Sequence, residues 1–308
     1  RRQRQMCIRD SIWAERYLQN KHFGKHQECN TRCLIDKVTR FEDEHKHPMN
    51  IDSMTADDLR VFADFLSSDY DISMNTIVTN MTLMRTVCNW VRKQGVTNND
   101  PFFGYDMPKA LYGTPYFLTI QERDQVLDAD LTDDAELAEY RDMFVFQCMV
   151  GCRHSDLVTF TPKNIIDGVL EYIPIKTKGK LGDVVRVPLI PKAMAILDGH
   201  DHGDDEPIFP KHYNFKFNDA IRRILKRAKV NRVVTVINPK TRLEEKKPIS
   251  DVATSHLARR TFIGNLYRMV KDPDLVASMS GHAKGSVAFA RYRVIDDDMK
   301  KSLIELIQ

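Results

Sequence analysis

Between His256 and Arg293 the chain carries His256-Leu257-Ala258-Arg259-Arg260-Thr261-Phe262, then Ser280-Gly281-His282, then Arg291-Tyr292-Arg293. These are groups that hold a phosphate, move a proton beside it or attack it. No carboxylate cluster of the kind that binds a metal accompanies them. Breaking a phosphodiester without metal makes definite demands. The non-bridging oxygens gain charge in the transition state, which calls for two guanidiniums able to bind bidentately. A nucleophile must reach phosphorus and a proton must reach the leaving 5′-oxygen. A tyrosine with a pKa near 10 is protonated at neutral pH and needs a base or a strongly positive site. Arg153, Arg259, His256, His282, a lysine at 176 or 178 and Tyr292 supply every one of these groups. A histidine alone on a helix is more often structural, so the ordered set carries the reading.

The elements that must position them are legible nearby. Ala135 to Val150 is an apolar helical run ending at Gly151-Cys152-Arg153, with Cys148 and Cys152 packing and Asp156 orienting or capping around Arg153. Two β-rich runs, Val169 to Ile175 and Val184 to Leu189, flank Lys176 to Asp183 and predict a hairpin with a basic tip. From Phe217 to Val230, Ile221, Ile224, Leu225 and Ala228 form an apolar stripe. Arg222, Lys226 and Lys229 share another face at i, i+4, i+7, expected to meet phosphate. A second hairpin is expected around Asn238-Pro239-Lys240, then helices at Thr254–Met269, Asp272–Ser278 and from Asp296 to the end. The last has an apolar strip of Leu303, Ile304, Leu306 and Ile307.

Upstream, residues 1–10 (RRQRQMCIRD) are polar and patternless and read as a disordered or non-native start. Residues 11–100 read as a small all-helical domain. Trp13, Tyr17, Leu34, Val38 and Phe41 recur at helical spacing, and helix starts are predicted at Thr55, with Asp58 three residues on, and at Ser73. His22, His26, Cys29 and Cys33 fall at i, i+4, i+7 and i+11. A straight helix cannot wrap them around one ion, because i+11 lies roughly 16 Å from i, so no metal is expected. Asn98-Asn99-Asp100-Pro101 and the Gly and Pro residues that follow mark 101–116 as a linker. Thr119-Ile-Gln-Glu then opens a new helix with a capping box. The second domain runs over 117–295 and a terminal helix over 296–308.

At 308 residues, two domains are expected. No apolar run is long enough to span a bilayer and no signal peptide is visible. Six cysteines in a chain this long do not suggest a disulfide framework, which points to a reducing cytoplasm. The net charge of +3 is small, but Lys211 to Lys247 holds twelve Lys/Arg against three acids, a plausible phosphate footprint.

The ordered boxes resemble the tyrosine recombinases, the phage-type or mobile-element integrases. In that family an arginine follows a helix ending in Gly-x-Arg, here Gly151-Cys152-Arg153, with Ser155-Asp156-Leu157 after it. Next comes a hairpin lysine, Lys176 or Lys178, then His256-Leu257-Ala258-Arg259, then Gly281-His282, then Tyr292 ten residues later. The resemblance covers the catalytic half, and the helical N-terminal part up to Asn99-Asp100-Pro101-Phe102 resembles the core-binding, SAM-like domain. It implies a mainly α fold with small β-hairpins (α+β), two domains forming a C-shaped clamp on double-stranded DNA, and a homotetramer on synapsed sites. The last helix would dock on a neighbouring subunit, and accessory DNA-bending proteins could assist. It further implies that Tyr292 attacks the scissile phosphate to give a 3′-phosphotyrosine. Arg153, Arg259 and His282 hold the phosphate, His256 assists proton transfer and the lysine is general acid, without cofactor. Arg260, Arg291, Arg222, Lys226 and Lys229 would face DNA. A type IB topoisomerase shares this chemistry, and an inactive DNA-binding protein could share the fold. Tyr292 argues against the second, and the helical N-terminal domain favours a recombinase over the first.

Overall fold

The computed structural model describes residues 10–20, 25–177, 184–200, 203–270, 272–282 and 304. The chain divides into two compact units, residues 1–112 with 237–244, and residues 113–236 with 245–308. The first boundary, between 112 and 113, falls inside the 101–116 stretch where the apolar periodicity breaks.

Among the described residues four helices build the first unit: α1 (Asp10–Asn20), α2 (Lys25–His45), α3 (Ala56–Ser68) and α4 (Met74–Lys93). Their starts follow the caps. The Thr55 hydroxyl accepts from the Asp58 amide while the Asp58 carboxylate accepts from the Thr55 amide, a reciprocal capping box. Ser73 accepts from the Thr76 amide at the head of α4. Each cap satisfies donors that the helix itself leaves unpaired. Trp13, Tyr17, Leu34, Val38, Phe41, Leu59, Phe62 and Met81 then meet in one core. The Asn99 side-chain amide donates to the carbonyls of Ile51 and Met54, at 2.9 and 2.8 Å, so the Asn-Asp-Pro junction closes the unit. Of the residues weighed as metal ligands, Cys29 and Cys33 are exposed, His22 lies outside the described residues, and the His26 side chain is not described. Among the described residues no three His, Cys, Asp or Glu side chains are grouped to share an ion.

The second unit contains α5 (Ile120–Leu127), α6 (Ala135–Val150), α7 (His154–Leu157), α8 (Pro191–Asp198), α9 (Asn214–Arg227), α10 (Ile249–Val252), α11 (Ser255–Val270) and α12 (Pro273–Ser280). Strands β1 (Ile165–Ile166), β2 (Val169–Tyr172) and β3 (Val185–Pro188) form an antiparallel sheet, and β4 (Val233–Ile237) pairs with β5 (Glu244–Pro248). The fold is therefore mainly α with small antiparallel sheets. Buried Leu170 and Tyr172 sit opposite buried Val187 and Val185, so one face of the β2–β3 hairpin packs on the helices. The second half of helix α6, Met143 to Val150, is buried on every face and forms the centre of this core, the helix packing chiefly against α11.

Two expectations need correction. The β2 strand stops at Tyr172, short of Ile175, because Pro174 has no amide to give the ladder, and a 3-10 turn over Ile175–Thr177 takes over. Helix α9 ends at Arg227, short of Val230, so Lys229 does not share a helical face with Arg222 and Lys226. Lys229 adopts a left-handed conformation (φ 56°). The Val230 amide donates back to the Leu225 carbonyl (2.9 Å) and the Lys229 amide to the Lys226 carbonyl (3.0 Å). This is the Schellman closure. Its driving force is burial of Val230 beside Leu225, which outweighs the cost of about 1–2 kcal/mol for a left-handed lysine.

Candidate active site

Helix α6 delivers the first candidate, Arg153. The helix is stopped by Gly151, whose φ of +68° suits glycine and whose place admits no other residue. A Cβ there would lie 2.2 Å from the Phe262 ring of α11. Gln147, almost fully buried, donates from its side-chain amide to the Cys152 carbonyl at 3.0 Å and fixes the peptide leading into Arg153. Arg153 then heads the short α7. Its Nη1 is buried and has no hydrogen-bond partner among the described residues, a desolvated donor that an anion would satisfy.

Helix α11 delivers His256 and Arg259. Its start is held from α9, where the Asn218 side-chain oxygen accepts from the Ser255 amide (2.8 Å) and Asn214 accepts from the Ser255 hydroxyl (3.2 Å). Arg259 is only 1% exposed. Its Nη1 donates to the Gly151 carbonyl at 2.7 Å, tying α11 to the end of α6. Its Nη2 lies 3.0 and 3.2 Å from the two ring nitrogens of His282. A guanidinium only donates, so the ring must offer it an acceptor and is neutral.

His282 is brought in by α12. Gly281 takes a left-handed turn (φ 63°), and the His282 amide bonds back to the Ala277 carbonyl. A Cβ on Gly281 would press on Val185 and Pro174 at 3.0 and 3.1 Å, so this turn fits closely against the β2–β3 hairpin. The Ser280 hydroxyl lies 2.9 Å from His282 Nδ1 and donates to the Val276 carbonyl. A protonation pattern that satisfies these partners has Nδ1–H donating to Ser280 and Nε2 accepting from Arg259.

Lys176 lies in the 3-10 turn after β2. The buried Asp156 carboxylate accepts from the Ile175 amide at 2.9 Å, which pins that turn to α7. The side chain of Lys176 is exposed, yet its charge reaches His282.

Electrostatics unite these groups. Desolvation, then the charges of Arg259, Arg153, His256 and Lys176, push His282 down to about 3. His256 is brought down to about 4 by desolvation and by Arg260, Arg259 and Arg153. The His256 side chain stays open to solvent, so the three guanidiniums are the more durable cause there. Tyr172, buried beneath the site with its hydroxyl unpartnered among the described residues, has its pKa raised by burial, which suits it to packing rather than attack.

Arg153, Lys176, His256, Arg259 and His282 thus come together. Of the other expected DNA contacts, Arg260 stacks over the Tyr116 ring (5.2 Å) while its charge still acts on His256, whereas Arg222 lies 3.5 Å from Asp219 and Lys226 pairs with Asp251 at 2.8 Å. Tyr292, Arg291 and Lys178 lie outside the described residues. Gln147, Asn214 and Asn218 escaped the sequence reading. The signal for Gln147 was a lone amide in the run Met143 to Val150; the two asparagines, on an ordinary polar face, gave none.

The family model of the phage integrase family matches residues 116–299, more than half of the chain. The chain belongs to that family. A second model, the phage integrase SAM-like domain, matches residues 12–107. Among solved structures, this integrase-family chain resembles the Tn1549 transposon integrase in complex with transposon right end DNA. The TM-score is 0.68 at 15% identity, over 97% of this chain and 99% of that one. It resembles a lambda integrase dimer bound to a COC′ core site equally well, with TM-score 0.68 and 15% identity over 94% and 96% of the two chains. A lambda integrase tetramer bound to a Holliday junction gives a TM-score of 0.66 at 15% identity, over 95% of this chain and 79% of that one. No curated protein sequence matches the chain. Likeness at this identity concerns the fold.

Proposed function

We propose that this integrase-family chain is a site-specific DNA recombinase that cuts and rejoins strands through a 3′-phosphotyrosine, using neither metal nor ATP. One observation carries the reading. Two arginines, two histidines and a lysine from separate elements converge in one positive field, with the buried Nη1 of Arg153 left for an anion.

In this reading Arg153 and Arg259 bind the non-bridging oxygens of the scissile phosphate. Arg259 has five N–H donors, which allow its protein bonds and a phosphate contact together. The Tyr292 oxygen attacks phosphorus while neutral His256 takes its proton. The bond from phosphorus to the 5′-oxygen breaks, and Lys176 protonates the leaving oxygen. The phosphotyrosine conserves the ester, so a 5′-hydroxyl from another strand reverses the steps and restores the tyrosine. The same reading has two units closing on duplex DNA as a clamp. Four copies would act together, as in the lambda tetramer on a Holliday junction, with residues 296–308 docking on a neighbouring subunit.

The test is a supercoiled plasmid carrying two copies of the DNA that flanks the gene, incubated with the protein in EDTA without ATP. A recombinase excises or inverts the segment between the copies. Relaxation of any plasmid regardless of sequence would favour the topoisomerase reading, and binding without strand exchange an inactive protein.

A further inference from the structure

Helices α3, α4, α5, α6 and α12 are each capped by the side chain just before them. Thr55, Ser73, Thr119, Asp134 and Asp272 accept amide protons from the first turn that follows. Helix α11, which carries His256 and Arg259, is held differently. The oxygen that receives its Ser255 amide belongs to Asn218 of α9, 37 residues away in sequence, at 2.8 Å. The Ser255 hydroxyl donates to Asn214 of the same helix at 3.2 Å. Asn214 and Asn218 stand one turn apart on one face, so α9 grips both the amide and the hydroxyl of the residue before His256.

The same turn reaches the other half of the site. Phe217, fully buried, stacks on the ring of His154, the residue after Arg153, with centroids 5.1 Å apart and planes at 30°. His154 Nε2 is buried without a hydrogen-bond partner among the described residues, so what the ring gives there is its face and not a proton. The turn is itself tied to α6. The Phe217 ring lies 6.0 Å from that of Tyr140, whose hydroxyl is 2.9 Å from Nδ1 of His212, two residues before α9. Burying Phe217 needs only an apolar neighbour, whereas a helix start needs an acceptor in a definite place. Because α11 draws that acceptor from α9, the place of His256 depends on α9.

Resting on the recombinase reading above, we propose that the first turn of α9 is the positioning element that sets His256 against Arg153, with Asn218 and the His154–Phe217 stack as its two arms. Neither Asn218 nor His154 is asked to touch the phosphate. Without the Asn218 oxygen the Ser255 amide turns to water and the first turn of α11 frays, carrying His256 with it. Arg259, one turn further in, stays bonded to the Gly151 carbonyl. Proton transfer is then lost while the grip on phosphate remains.

The experiment uses the full chain and follows single-turnover cleavage of a nicked duplex carrying the DNA that flanks the gene, alongside affinity for that duplex. Rates are compared at a temperature where melts show every variant folded. Asn218→Leu should slow cleavage about 100-fold, the scale of a misplacement of about 1 Å, with DNA affinity unchanged. Asn218→Asp keeps the acceptor oxygen and should recover most of the rate. Thr119→Ala deletes the cap of α5, with a comparable loss of stability, and should cleave as wild type does. His154→Phe keeps a ring on Phe217 and should stay close to the wild-type rate, whereas His154→Ala should slow cleavage in the manner of Asn218→Leu. An Asn218→Leu variant that cleaves at the wild-type rate, or that loses affinity in proportion to rate, would overturn the positioning role and leave the recombinase reading standing. So would an Asn218→Asp variant no faster than Asn218→Leu, a Thr119→Ala variant as slow as it, or a His154→Phe variant no faster than His154→Ala. Absence of cleavage by the wild type would overturn both.

Discussion

In the proposed reaction Arg153 and Arg259 bind the same phosphate; in the fold they are embedded differently, and variants separate the two roles. Arg259→Lys removes the donor to the Gly151 carbonyl inside the core. It should cost about 1–3 kcal/mol in chemical denaturation, besides slowing cleavage by at least ~100-fold. Arg153→Lys should slow cleavage as much and leave stability nearly unchanged, since its Nη1 makes no hydrogen bond among the described residues. The histidines make a second prediction. Both have folded-state pKa values pushed below the ordinary 6.5, to about 4 for His256 and about 3 for His282. Between pH 6.5 and those values the unfolded chain binds more protons than the native one, so stability is full above 6.5 and falls as the pH drops. Urea midpoints of wild type should decline over that window, and His282→Asn should flatten the decline. Bound DNA phosphate would raise both values. The residue types were legible in the sequence because the chemistry limits which side chains serve. Neutral His282 was not, since it depends on an arginine twenty-three residues away approaching its ring.

Elements were legible where local signals decide them. Capping boxes at Thr55 and Thr119 and the run Ala135–Val150 ended at Gly151 appear as read, because caps and a left-handed glycine act within one turn of chain. Tertiary burial overrode periodicity at Val230, where the chain turns through a left-handed Lys229 to bury a valine. Short α7, α8 and α10 were missed, because single-turn and two-turn helices hardly develop a periodic pattern. Gly151 joins two elements and yields the third prediction. Gly151→Ala sets a methyl against the Phe262 ring in a disfavoured conformation, at a cost of about 2–5 kcal/mol. Adding Phe262→Leu should recover part of the loss in thermal melts. Full stability in the single variant would show that α6 and α11 do not meet this closely.

At the scale of the molecule, the basic block Lys211–Lys247 looked like a phosphate footprint, yet seven of its twelve cations have acidic partners in the fold: Arg222, Arg223, Lys226, Arg227, Arg232, Lys240 and Lys247. Five of the seven partners (Asp134, Asp251, Asp133, Glu122 and Asp71) lie outside the block, in segments the linear charge count could not bring near. Such exposed pairs are worth little and exchange readily for phosphate, so the block can still serve DNA. No helix among the described residues is long and apolar enough to cross a membrane. The central proposal is that this assembly makes Tyr292 a nucleophile toward DNA. The direct measurement is a nicked suicide duplex carrying the flanking site, incubated with the protein in EDTA and followed by peptide mapping of any protein–DNA adduct. The expected result is a covalent adduct at Tyr292, absent from Tyr292→Phe and severely reduced in Arg153→Lys. An adduct that persists in Tyr292→Phe, or that forms only with added magnesium, would contradict it.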